Sequence, residues 1–99
     1  MEELSSGQRK KLRSMAHHLA PVGYVGKNGL TEAVIAAVDE ALEDHELLKV
    51  KFNDHKDEKR EISAELAART RSHVVGIIGN IAILFRYQHD PEKRKIDLE

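Results

Sequence analysis

Apolar positions along this chain change period several times, and each change marks an element. Leu12, Met15, Ala16 and Leu19 recur at helical spacing behind Ser5 and Gln8, a capping-box signature, until Pro21 stops the run. This predicts a first helix over Gly7 to Leu19, followed by a short strand at Val22 to Val25. From Glu32 to about His45, Val34, Ile35, Val38, Ala41 and Leu42 form one stripe with carboxylates opposite, which is a second helix. Leu47 to Phe52 alternates, Leu48, Val50 and Phe52 on one face and Leu47, Lys49 and Lys51 on the other, the period of a half-buried strand. Asn53-Asp54-His55 reads as a turn. Lys56 to Thr70 has helix-forming composition, with Ile62 and Leu66 one turn apart and Glu65 to Arg69 as a supporting ion pair. Val74 to Ile78 and Ile81 to Phe85 are apolar and β-branched around Gly79-Asn80, which predicts a buried hairpin. The order α-β-α-β-α-β-β gives a four-stranded mixed sheet with helices packed against it, a small two-layer α/β domain. Residues 1–99 form one domain, in which 90–99, polar after Pro91, read as a loose tail.

The turn before the second helix carries the candidate chemistry. In Gly26-Lys27-Asn28-Gly29 two glycines allow φ > 0 and close approach, and Thr31 is a good N-cap for the helix that follows. Free N–H groups would then gather beside Lys27, an arrangement suited to phosphate. Without a ligand the same residues make an ordinary strand-to-helix turn. A second GxxG, Gly76-Ile77-Ile78-Gly79, lies within the apolar hairpin and reads as structural.

Charge changes this picture more than composition does. The net charge of −1 argues, as a bulk figure, against a polyanionic partner. Yet Leu4 to Thr31 holds Arg9, Lys10, Lys11, Arg13 and Lys27 with no carboxylate, whereas Glu32 to Glu46 holds six carboxylates with no Lys or Arg. Arg9, Lys10, Arg13 and His17 fall on one flank of the first helix, either a solvated face or a contact surface. Like charges one turn apart cost a few tenths of a kcal/mol, about 0.3 per pair, and no acidic residue in that helix offsets them.

Several chemistries lack their residues. The absence of cysteine excludes a disulfide scaffold, a thiol nucleophile and cysteine-ligated metal, and fits a reducing cytoplasm. Six histidines include no HExxH and no i,i+4 pair, so no metal or other cofactor is expected. There is no G-x-S-x-G elbow, Walker loop or dinucleotide fingerprint, which points away from an enzyme. No apolar run approaches the roughly 20 residues of a membrane span, and Met1-Glu2-Glu3 is acidic where a signal peptide is basic, so a soluble cytoplasmic chain is expected. Tyr24, Phe52, Phe85 and Tyr87 are too few for a multi-base stacking sheet. Any RNA binding should rest mostly on phosphate contacts.

Four ordered blocks carry a resemblance. Leu4-Ser5-Ser6-Gly7-Gln8-Arg9-Lys10-Lys11-Leu12-Arg13 with Ala16-His17, then Val25-Gly26-Lys27-Asn28-Gly29-Leu30-Thr31, then His45-Glu46-Leu47-Leu48-Lys49-Val50-Lys51, then Ile78-Gly79 with Leu84-Phe85-Arg86, resemble the YhbY-like CRM domain, named for chloroplast RNA splicing and ribosome maturation. A chain of this size is similar to the stand-alone prokaryotic member. The resemblance implies an RNA-binding domain similar in fold to the C-terminal domain of translation initiation factor three, associated with precursors of the large ribosomal subunit. It also implies a loop compared with that of KH domains, here Gly26, Lys27, Asn28 and Gly29, with nearby basic residues extending the RNA surface. Phe85 stands where the family usually has tyrosine, and the net charge is less basic than in many members. The residues therefore predict RNA binding by Gly26 to Gly29, Thr31, Arg9, Lys10 and Arg13. Two alternatives stay open: a protein adaptor using the acidic second helix against a basic ribosomal protein, and a small enzyme acting on a phosphorylated ligand.

Overall fold

The computed structural model describes residues 3–98; Met1 and Glu2 of the acidic start, and Glu99 of the tail, lie outside them. The elements follow the expected order: α1 (Ser6–Ala16), β1 (Gly23–Val25), α2 (Glu32–His45), β2 (Leu47–Phe52), α3 (Lys59–Thr70), β3 (His73–Ile78) and β4 (Ile81–Phe85). The capping box forms, with Gln8 N–H donating to Ser5 Oγ at 3.1 Å and Ser5 N–H to Gln8 Oε1 at 2.9 Å. α1 ends three residues earlier than its apolar period suggests. Its last turn tightens into bonds from His17 N–H to Ser14 O and Leu19 N–H to Ala16 O, and Lys49 Nζ takes the carbonyls of His17 and Leu19. A short 3₁₀ turn, Lys56–Glu58, precedes α3. Arg69 does not pair with Glu65 as expected; it reaches both carboxylate oxygens of Glu32 at 2.8 and 2.9 Å, tying α3 to the start of α2.

The sheet runs β1-β2-β4-β3, with β1 parallel to β2 and the other pairs antiparallel. Strand alternation divides the apolar residues between two cores. On one face Val25, Leu48, Val50, Phe52, Ala82 and Leu84 meet Ile35, Val38 and Leu42 of α2 and Leu66 and Ala67 of α3. On the other, Leu12 and Ala16 of α1 pack on Leu47, Val75, Ile83 and Phe85. The two expected layers are present, and α1 adds a third that covers only part of its face.

The tail corrects the sequence reading. Residues 90–98 are docked, with Ile96 and Leu98 buried in the α1 core. Their anchor is Glu46, 1% exposed, whose carboxylate accepts from Gln88 N–H at 2.9 Å, Lys95 N–H at 2.6 Å and Ile96 N–H at 3.1 Å. A buried carboxylate is costly alone, and three backbone donors satisfy it. Lys11 Nζ adds a bond to Asp97 O at 2.6 Å. Composition could not reveal this, because the anchor lies about fifty residues upstream. Among the described residues no helix is long and apolar enough to cross a membrane.

Candidate nucleic-acid interface

Gly26 to Gly29 is a tight turn at the end of β1. Gly29 N–H donates to Gly26 O at 3.0 Å and Gly29 has φ of 71°, a left-handed conformation that favours glycine. Lys27 and Asn28 at the tip are exposed, and their N–H groups make no hydrogen bond among the described residues. Of the free donors expected, two are therefore present and a third is used by the turn itself. Thr31 Oγ1 accepts from Val34 N–H at 3.2 Å, so the hydroxyl proposed for RNA caps α2. It still sets where the loop meets the helix.

The loop has a support that sequence reasoning missed. Asn53 N–H and Asp54 N–H both donate to Val25 O, which folds the segment after β2 beneath the loop. His55, at φ 53°, then presents Nε2 to Lys27 O at 2.9 Å. A carbonyl only accepts, so Nε2 carries the proton. This bond is the largest cause raising the His55 pKa above its ordinary 6.5; desolvation opposes it, and the Asp54 and Glu58 carboxylates add to it. Holding the Lys27 carbonyl toward His55 turns the N–H on the other side of the same peptide, that of Asn28, away from it. No sequence signal marks His55, since it acts across 28 residues from a turn of its own.

The predicted basic flank divides. Arg9 is partly buried, and its guanidinium donates to Val74 O at 2.5 Å and Val75 O at 3.4 Å, where a bulge interrupts the β3–β4 pairing. It caps an edge strand and helps hold the neighbouring His73 pKa below its usual value, after desolvation. Arg13 passes over Gly76, where an added Cβ would lie 3.3 Å from Arg13 Cδ. Gly76 is thus partly exposed under an arginine, not deep in a core strand. The side chains of Arg13, Lys10 and Lys27 have no hydrogen-bond or ion-pair partner among the described residues, and neither has that of Lys51 on β2. Lys51 was legible as the polar side of an alternating strand, yet nothing in the sequence placed it near the loop.

The second GxxG ends in a two-residue hairpin turn, with Ile78 opposite Ile81 and Gly79 at φ 57°. A positive φ at the first central position is the type II′ preference. Phe52 N–H donates to Asn80 O at 2.7 Å, so this turn sits at the same end of the sheet as the loop.

A family model, the CRS1 / YhbY (CRM) domain, matches residues 4–86. The probable RNA-binding protein PA4753 of Pseudomonas aeruginosa is 44% identical over 91 residues, 91% of this chain and 88% of its own length. The probable RNA-binding protein YqeI of Bacillus subtilis is 38% identical over 96 residues, 96% of this chain and 98% of that one. A solution structure of the hypothetical protein SAV1595 from Staphylococcus aureus superposes with a TM-score of 0.80 at 32% identity, covering 96% of this chain and all of the other. The match runs from α1 to the end of β4 and takes in the loop, the two-sided sheet and the hairpin: the chain belongs to the CRS1 / YhbY (CRM) domain family.

Proposed function

We propose that this protein binds RNA without catalysing a reaction, and that it acts in the cytoplasm on precursors of the large ribosomal subunit. The observation that carries the reading is the exposed tip of the Gly26 to Gly29 turn, which holds two unbonded N–H groups and an unpaired Lys27 side chain. Backbone donors and one cation grip a phosphate oxygen without reading a base. Lys10 and Arg13 add long-range attraction, which falls with salt. The relatives named as RNA-binding proteins support the ligand class. The ribosomal destination rests on the family resemblance.

The adaptor reading loses ground on the acidic helix. Glu32 binds Arg69, Asp39 and Glu43 bind Arg86 at 2.6 and 3.3 Å, and Glu46 is buried under the tail, so much of the negative charge is matched within the domain. Sequencing RNA cross-linked to the protein in cells tests the function. Reads concentrated in one large-subunit rRNA region are the expected result. Reads spread in proportion to RNA abundance, or association that survives nuclease, would turn the assignment toward non-specific binding or toward a protein partner.

A further inference from the structure

Part of the sheet lies bare beside the loop. The register places Tyr24 opposite Lys51, Lys51 opposite Ile81 and Ile81 opposite Ile78, so these four side chains form one row across all four strands. Val25, Val50, Phe52 and Ala82 point to the α2–α3 core, which puts the row on the α1 face. α1 covers the neighbouring rows through Leu12, Ala16 and Arg13. The end row is left open: Tyr24 is 51% exposed, Ile78 60%, and Lys51 is also exposed. Of the four aromatic side chains, Phe52 and Phe85 are buried, and Tyr87 packs between Phe85 and the Arg94 guanidinium. Tyr24 is the aromatic ring presented to solvent.

Its surroundings favour one kind of occupant. Tyr24 stands two residues before Gly26, so ring and loop share one strand end. Lys51 is its cross-strand neighbour, and Arg13, His17 and Lys49 line the adjoining shallow cleft with Ile78, Ile81 and Ile83. No carboxylate belongs to the row or the cleft. Cations beside an open ring, continuous with a phosphate-gripping turn, match a polyanion whose bases are free to stack.

We propose that single-stranded RNA runs from the Gly26 to Gly29 loop along this row, with one base stacked on Tyr24, a backbone phosphate at Lys51 and the next base against Ile81 and Ile78. Three strand spacings give the row a length of about 14 Å. The inference rests on the RNA-binding reading of the loop and narrows it, because the ligand must offer an unpaired base. Bases inside a duplex present no face to the ring.

Tyr87→Phe makes Tyr24 the only tyrosine in a chain without tryptophan, so its fluorescence reports the site directly. Titrating that variant with a randomised 12-nucleotide single-stranded RNA pool should quench the emission, and a matched duplex should not. Tyr24→Ala should weaken single-strand binding about 5- to 100-fold, the range expected for one lost stack, while Tyr24→Phe stays within about twofold of wild type. Tyr24→Ala with wild-type affinity, or a duplex bound as tightly as the single strand, would overturn the platform. If Lys27→Asp with Asn28→Asp abolishes binding in the same assay while Tyr24→Ala does not, the loop reading stands and only the platform falls. A wild-type protein that binds no RNA at all would overturn both.

Discussion

The two GxxG segments share a pattern, an end of the sheet and a left-handed final glycine, and they differ in what lies between the glycines. In Gly26 to Gly29 the inner residues are polar, their N–H groups are unbonded, and a histidine holds the carbonyl side. In Gly76 to Gly79 the inner residues are Ile77 and Ile78, both paired to β4, and the last glycine turns a hairpin. The motif alone does not specify a loop: in the first copy the chain turns between the glycines, and in the second it turns only after Ile78. Whether the bend offers donors depends on whether a neighbouring strand has already taken them.

Reversing charge at the loop tip is the strongest way to break the comparison. Lys27→Asp with Asn28→Asp should lower RNA affinity on the order of 50-fold, by losing one phosphate contact and adding two repulsive charges, with melting unchanged because both side chains are exposed. Filter binding and thermal melts on the same sample check it; intact affinity in the folded variant would remove the loop from the interface.

A matched glycine pair sharpens the contrast. Gly29→Ala and Gly79→Ala each force a side chain into a left-handed conformation, costing about 1 kcal/mol and roughly 4–8 °C in melting temperature. Only Gly29→Ala should also reduce RNA affinity, by about 3- to 10-fold, since it disturbs a preorganised turn. Gly76→Asp is a poorer probe, because its carboxylate would lie against Arg13 and alter charge and packing together.

Salt dependence separates the two arginines. With Lys27, Lys10, Arg13 and Lys51 each neutralising a phosphate, log affinity should fall against log salt with a slope of roughly −3. Arg13→Ala should flatten that slope by about 0.7, whereas Arg9→Ala should leave it unchanged and lower the melting temperature, because Arg9 caps the β3 bulge. Equal slopes for wild type and Arg13→Ala would remove Arg13 from the contact.

The smallest effect is expected from pH. The His55 pKa is raised in the folded protein, so the extra stability of its charged form contributes fully below the unfolded value near 6.5 and is lost as pH rises through the higher folded value. Wild type should exceed His55→Ala in melting temperature at pH 6, and the gap should narrow toward pH 9. A gap that persists unchanged at pH 9 would mean the neutral Nε2–H tautomer supports the loop as well as the imidazolium does.

Much of this architecture was legible because local signals agreed with the fold. The bounds of α2 and β2 follow from period and capping, and Gly79-Asn80 from turn chemistry. The loop's position was legible for the same reason. What escaped was whatever depends on partners far along the chain: His55 under Lys27, Arg9 at the β3 bulge, Arg69 with Glu32, and the tail on Glu46. Charged residues in particular misled, since Arg9 looks like Arg13 in sequence and only the strand beneath distinguishes them.

The Glu46 clasp bears on where this domain can be divided. The family match closes at residue 86, yet a fragment cut there would strip the carboxylate of all three donors and remove Ile96 and Leu98 from the wall of α1. Such a fragment keeps every strand and helix of the sheet and still bares the apolar wall that Ile96 and Leu98 cover. Truncation and tagging should keep the segment through Leu98, because Ile96 and Leu98 are interior even though the composition around them reads as surface.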